Sequence, residues 1–477
     1  MARVDLDRLE RTLNPRTIAV VGDKGPRYMW LSSQHEFTGQ LYSVQLDEKE
    51  IPGIEQKGVE NFASLAEVPA EIDLVICAVP RAVSPVIIRD AIDKGVGGVS
   101  MFTSGFAETD EPEGVELQGQ LAQMALDAGM PLVGPNCMGV YNRRLGVKFS
   151  PEQQQGDGGN VSVVAQSGTH TIGLSLGLQT AGVKVSRAIS YGNAIVLNEC
   201  DYLEYLLDDE YTEVIAMYVE GTRDGRRLFE LLRAARGRKP IVLWRGGFGR
   251  AGERAVHSHT ASLASSGEVW AGMMRQAGAI PATSAEEVID TVAALVHTAP
   301  SSKRRLGLVA MTGGQSVAIS DQFERAGFEV PELSAGSYER LAAFFNVIGG
   351  SYRNPFDAAG TVGREEDNLE KLLDILADDP AIDGGIAIEL RTQRYDADPQ
   401  QLDRTLDLLD AYRERTGQPV IGLMPAGGVM SASAASEAGA QARTAIAERG
   451  FALYPSFQRG AQALGRVVDY YAALEAE

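Results

Sequence analysis

Two of the five histidines in this chain, His257 and His259, stand two positions apart in a glycine-rich, basic stretch, residues 245–260. An imidazole on such a stretch can act as a nucleophile when a carboxylate fixes its tautomer and leaves the second ring nitrogen available. Glu220 is the natural partner. It follows the apolar run 214–219 and precedes Gly221, at the strand edge from which the histidine stretch emerges. The plain alternatives are a solvated loop with incidental histidines and a solvated glutamate at a strand end. A metal site is the weakest reading, because His257 and His259 lack a Cys, His or carboxylate cluster at ligand spacing.

Two further segments could hold an anion. Gln166-Ser167-Gly168-Thr169 follows the run 163–165, and Thr312-Gly313-Gly314 follows 308–311. Each is a strand, a Ser/Thr-Gly turn and an amphipathic helix, so each offers backbone N–H groups and the positive end of a helix dipole. A plain helix N-cap explains either one alone. Their occurrence on two similar units favours phosphate binding. The similarity extends further: VIAMYVEG, a helix and KPIVLWRGG correspond to GIAIELRT, a helix and QPVIGLMPAGG. Arg391 then occupies the slot of Glu220, and nothing like the histidine stretch follows Gly427-Gly428.

The elements that position these residues are short β-branched runs alternating with longer amphipathic stretches, an α/β pattern of parallel sheets. In the first third, strands are expected at 18–21, 41–44, 74–79, 98–102 and 131–133, with helices at 83–94 and 114–128. Polar linkers at 149–159 and 298–305 divide the 477 residues into regions 1–148, 159–299 and 304–477. The first is Rossmann-like, and the other two are copies of one doubly wound, flavodoxin-like scaffold, which binds ligands beyond the carboxyl ends of its strands.

Sixty-four acidic against 44 basic residues leave a net charge of -20, the wrong field for general nucleic-acid binding. No apolar run reaches the ~18 residues of a membrane span, and the charged N-terminus is unlike a signal peptide, so a cytoplasmic protein without a membrane partner is expected. The three cysteines form neither a disulfide framework nor a CxxC pattern, and Cys77 reads as a core thiol.

Taken in order, the motifs resemble the α subunit of NDP-forming acyl-CoA synthetases of the ADP-forming acetyl-CoA synthetase type, and more distantly the succinyl-CoA synthetase α subunit. They are Thr103-Ser104-Gly105-Phe106-Ala107-Glu108, Gly134-Pro135-Asn136-Cys137-Met138-Gly139, Gln166-Ser167-Gly168, Ser190-Tyr191-Gly192-Asn193, Tyr218-Val219-Glu220-Gly221, Ser258-His259-Thr260, Thr312-Gly313-Gly314 and Asn354-Pro355-Phe356-Asp357. The resemblance implies a coenzyme A site at Gly22, Pro80, Ser104, Gly105, Phe106 and Asn136. It makes His259 the phosphorylated histidine and Glu220 the carboxylate that holds it. Gln166, Ser167, Gly168 and Thr169, with Gly313 and Gly314, would cradle the phosphoryl group. It also implies an acid–thiol ligase that works through an acyl phosphate and phosphohistidine. ATP/ADP and Mg2+ would belong to a separate ATP-grasp β subunit, giving a hetero-oligomer, with self-association left open. The first βα turn, Val21-Gly22-Asp23-Lys24-Gly25-Pro26-Arg27, departs from the family's Gly-Ala-Ser pattern; Ser43-Val44-Gln45-Leu46, Arg245 and Ala261 are further departures. Two rival readings are a non-catalytic CoA-binding or regulatory homologue and a dinucleotide-dependent oxidoreductase; the latter lacks G-x-G-x-x-G in the first turn.

Overall fold

The structure, a computed structural model, describes residues 5–247, 249, 251–252, 267–362, 367–391, 399–425 and 437–476. His257 and His259 lie outside the described residues. The chain forms two compact units, residues 1–179 with 184–288 and residues 180–183 with 289–477.

The first unit contains two sheets. One is wholly parallel: β1 (Thr17–Val21), β2 (Gln40–Val44), β3 (Glu60–Phe62), β4 (Leu74–Cys77), β5 (Gly98–Met101) and β6 (Leu132–Val133), in the order β3-β2-β1-β4-β5-β6. This is the Rossmann order. β1, β4 and β5 are buried along their whole length, as apolar strands covered on both faces must be. β4 stops two residues earlier than its apolar run suggests, because its neighbour β1 ends opposite Cys77. The chain then turns out, and the Val79 carbonyl accepts the Thr103 hydroxyl at 2.7 Å.

The second sheet contains β7 (Gly139–Asn142), β8 (Val161–Ala165), β9 (Val185–Ser190), β10 (Val214–Val219), β11 (Ile241–Arg245) and β12 (Ile280–Ala282), ordered β12-β11-β10-β8-β9-β7. Only β7 is antiparallel, paired with β9. It comes from the region assigned by sequence to the first domain, and Leu9, Leu13, Val133 and Val140 share a core with Val164, Ile189 and Met217. The polar stretch after it is not a free linker. Phe149 and Gln153 are buried, and Gln153 Oε1 accepts the N–H groups of Phe149 and Ser150, both at 3.2 Å. Glu152, Gln154 and Asp157 of the same stretch are exposed.

The second unit carries β13 (Leu306–Ala310), β14 (Phe356–Asp357), β15 (Gly385–Glu389), β16 (Val420–Leu423) and β17 (Ala452–Tyr454), ordered β14-β13-β15-β16-β17 and all parallel. With β8 matched to β13, this is the same flavodoxin-like order as β9-β8-β10-β11-β12. Register fixes the equivalences: Ala165 pairs with Ser190 and Tyr218, as Ala310 pairs with Asp357 and lies one step beyond Val309–Ile388. Hence Gly168 corresponds to Gly313, Tyr218 to Glu389 and Glu220 to Arg391. Among the described residues no helix is long and apolar enough to cross a membrane.

Candidate active site

Five of the six residues expected at coenzyme A lie along one edge. Gly22 follows β1, Pro80 follows β4, Ser104 and Gly105 follow β5, and Asn136 follows β6, all adjacent strands whose carboxyl ends face the same way. The edge includes the point between β1 and β4 where strand order reverses, the usual ligand crevice of such sheets. Gly22 has φ +82°, and a Cβ there would lie 2.6 Å from Val79 Cγ1, so only glycine fits. Pro80 and Ser104 are exposed. The Phe106 ring is fully buried in the core beneath the loop, whereas Ser104 is exposed and Gly105 half-buried.

The altered first turn has a physical consequence. Asp23, buried, accepts the N–H groups of Leu31 at 2.9 Å and Lys24 at 3.1 Å, and burial pushes its carboxyl above the usual range. Glu50 accepts the Gly25 N–H at 2.8 Å. Two carboxylates thus take amides that a phosphate-binding turn would leave for its ligand. Apolar surface is exposed at the same edge at Met29, Leu46 and Phe102, and Phe102 packs edge-on against Trp30 at 5.1 Å.

Motifs far apart in sequence meet where the two sheets of this unit join. Glu108 accepts the N–H groups of Gly105 at 2.6 Å and Phe106 at 3.1 Å. The Asn193 side chain donates to Glu108 at 2.6 Å and to Gln118 at 3.0 Å, and its backbone N–H donates to the Pro135 carbonyl at 3.0 Å. Asn136 donates to Asn193 Oδ1 at 3.4 Å. Glu108, Gln118 and Asn193 were not foreseen as a cluster; Glu108 and Asn193 stand in separate motifs, and nothing in the sequence pointed to Gln118.

At the edge of the second sheet, Ser167 caps the helix Gly168–Thr180: its hydroxyl accepts the His170 N–H at 3.4 Å and its carbonyl accepts the Thr171 hydroxyl at 2.7 Å. Thr169 is exposed in the first turn. Gln166 is buried, and its Oε1 accepts the Glu220 N–H at 3.0 Å, which ties the turn to the carboxylate. Glu220 is 6% exposed, just past β10, and its Oε1 accepts the Tyr218 hydroxyl at 3.3 Å. Arg245 ends the neighbouring strand β11 and Gly246 follows it, at the root of the histidine stretch. His170 was missed in the sequence although it lies three residues after Ser167. Its ring is 4.3 Å from Tyr218 and 4.6 Å from Trp244.

In the second unit, Thr312 caps the helix Gly313–Arg325 by accepting the Gln315 N–H at 3.3 Å, and Gly313 and Gly314 open its first turn. The buried Asp357 carboxylate lies 3.2 Å from the Cβ position of Gly313. Met311, the counterpart of Gln166, donates its N–H to Glu389 at 2.7 Å and its carbonyl accepts from Arg391 at 2.7 Å. The slot of Glu220 thus holds a guanidinium in the second copy, 3.5 Å from the Glu389 carboxylate that takes the place of Tyr218.

All three cysteines are buried; burial pushes the Cys77 thiol up to about 11 and that of Cys137 up to about 12, so neither is a thiolate nucleophile. Among the described residues no group of three or more His, Cys, Asp or Glu could hold a metal.

Residues 16–143 match a family model described as a CoA binding domain, and residues 158–295 match one described as a succinyl-CoA ligase like flavodoxin domain. The chain is 31% identical over 427 residues to the α subunit of ADP-forming acetate–CoA ligase II from Pyrococcus furiosus, covering 88% of this chain and 90% of that protein. It is 29% identical over 392 residues to ADP-forming acetate–CoA ligase I of Archaeoglobus fulgidus, of which it spans 56%. A solved structure of dinucleotide forming acetyl-coenzyme A synthetase 1 from Ca. Korarchaeum cryptofilum, in complex with phosphate and ADP, superposes with a TM-score of 0.80 at 25% identity over 99% of each chain. This chain belongs to the α-subunit family of ADP-forming acetate–CoA ligases, a family of acid–thiol ligases.

Proposed function

We propose that this chain is the CoA-binding, histidine-phosphorylated subunit of a ligase that interconverts acyl-CoA, NDP and phosphate with a carboxylic acid, CoA and NTP. A phosphate oxygen attacks the thioester carbonyl; the C–S bond breaks and the sulfur leaves with a proton as CoA. His259 then attacks phosphorus, the acid leaves as carboxylate, and the phosphoryl group passes from the imidazole to NDP on an ATP-grasp partner, which also holds Mg2+. Phosphoryl transfer requires positioning and charge neutralisation more than covalent help. The roles fall to Glu220 as the carboxylate partner of His259 and to Gln166, Ser167, Gly168 and Thr169 at the phosphoryl group, with Gly313 and Gly314 as their counterparts in the second unit. Gly22, Pro80, Ser104, Gly105 and Asn136 take CoA, with Phe106 supporting the loop.

The observation that carries this reading is the buried Glu220 carboxylate, whose backbone is held by Gln166 of the phosphate-type turn, next to the strand that leads into the histidine stretch. The oxidoreductase alternative gains nothing from the first turn, where Asp23 and Glu50 take the amides. Incubation with an acyl-CoA and phosphate, followed by intact-mass analysis, tests the proposal. An acid-labile phosphoryl adduct is expected, absent in His259→Ala and strongly reduced in Glu220→Gln. With ATP, acid and CoA, this chain alone should form no acyl-CoA until an ATP-grasp subunit is added. Failure to form an adduct with any acyl-CoA in a panel would favour the non-catalytic reading.

A further inference from the structure

We propose that Tyr218 is a positioning residue for the phosphohistidine chemistry: its hydroxyl sets the orientation of the Glu220 carboxylate and rests against Gly246, the backbone root of the histidine stretch. The inference rests on the functional reading above and adds a residue to it.

Three observations lead there. Tyr218 and Trp244 are register partners on β10 and β11, and His170 on the helix Gly168–Thr180 covers them. The three rings lie 4.3 to 4.6 Å apart, centroid to centroid, which leaves the phenol little freedom to tilt. The phenol tip is confined as well. Its oxygen donates to Glu220 Oε1 at 3.3 Å and lies 2.4 Å from where a Cβ on residue 246 would stand. Gly246 has no positive φ to justify glycine, so the requirement is space for that oxygen. Burial, reinforced by the charge of Glu220, raises the phenol well above its ordinary range, so the hydroxyl remains a donor wherever the enzyme works.

The duplicated scaffold supplies the control. By register, the counterparts of His170, Tyr218 and Trp244 in the second unit are Gln315, Glu389 and Leu423. None is aromatic, and Glu389 serves instead as acceptor for the Met311 N–H. The ring trio occurs only in the copy that also carries Glu220 and the histidine stretch. Packing alone does not require it, since the second copy builds the same strand order without it.

A carboxylate turns broadly about its last torsion unless something holds it. With its backbone fixed by Gln166 and Oε1 by Tyr218, Glu220 presents a defined acceptor to an imidazole. The test is single-turnover phosphorylation of the full chain from acyl-CoA and phosphate, quenched and read by intact mass. Tyr218→Phe keeps the ring and removes one hydrogen bond to a charged acceptor, so the rate at saturation should fall about ten- to a hundred-fold. Half-saturating CoA-ester and phosphate concentrations should stay unchanged, and any fall in the unfolding midpoint should leave the variant fully folded at the assay temperature. Tyr202→Phe removes another buried hydroxyl, one with no hydrogen-bond partner among the described residues, and should react at the wild-type rate. A Tyr218→Phe rate equal to wild type, or a loss that tracks weaker substrate saturation or lower stability, overturns the inference. Wild-type protein that takes no label at all would instead overturn the functional reading beneath it.

Discussion

Gly192 stands where the loops of the first two sheets touch, and Gly192→Ala tests whether that contact is a fixed joint. The residue has φ +52°, and an added Cβ would lie 2.2 Å from the Pro135 carbonyl oxygen and 2.4 Å from that of Asn136. Left-handed backbone costs an alanine roughly 1–2 kcal/mol. The overlap is about 1 Å inside ordinary contact and meets backbone oxygens that cannot rotate away, which adds roughly 1–3 kcal/mol of overpacking. Relief is limited, because Asn193 and Ile195 hold the Pro135 and Gly134 carbonyls at 3.0 and 3.2 Å, and the Gly192 N–H holds the Gln166 carbonyl at 3.1 Å. The sum is about 2–5 kcal/mol of lost stability in the first unit. Urea unfolding measures it against Gly173→Ala, where an exposed helical glycine has nothing within 4 Å of the new Cβ. That control should gain about 0.5–1 kcal/mol. If the two variants unfold at the same urea concentration, the joint yields and the reasoning fails.

Arg187 and Asp209 form a 2.9 Å pair with side chains 4% and 5% exposed, so Asp209→Ala should cost about 3–5 kcal/mol by stranding a buried guanidinium. Glu230→Ala, at an exposed helical pair with Arg226, should change urea stability by less than about 0.5 kcal/mol. Burial pushes the imidazole of His297 down, reinforced by the charge of Arg413 and opposed by a backbone hydrogen bond at Ala181. A depressed histidine binds its proton more readily in the unfolded chain, so the second unit should lose stability as pH falls through the unfolded value near ~6.5. Urea midpoints between about pH 5 and 8 should show that slope in wild type and a flatter one in His297→Gln; equal slopes would remove the assignment.

The sequence by itself determined the alternation of strand and helix, because apolar runs of the right length between amphipathic stretches leave few other ways to bury them. It also carried the duplication, down to the exchange of Glu220 for Arg391, because equivalent strand ends can be matched by pattern alone. Short or polar elements escaped it: β3 begins on a glutamate at a sheet edge, and β7 leaves the first region to pair antiparallel with β9. No periodicity announces such a partner. Which polar groups meet was likewise decided by tertiary structure. Gln166 turns its oxygen to the Glu220 amide, Glu108 and Asn193 close the junction, Asp23 and Glu50 take the amides of the first turn, and the Phe106 ring goes into the core. Tyr218 gains its place beneath Gly246 through the register of β10 and β11. Local sequence sets which elements form; register and crossover set which side chains share a hydrogen bond, and those depend on contacts between residues far apart in the chain.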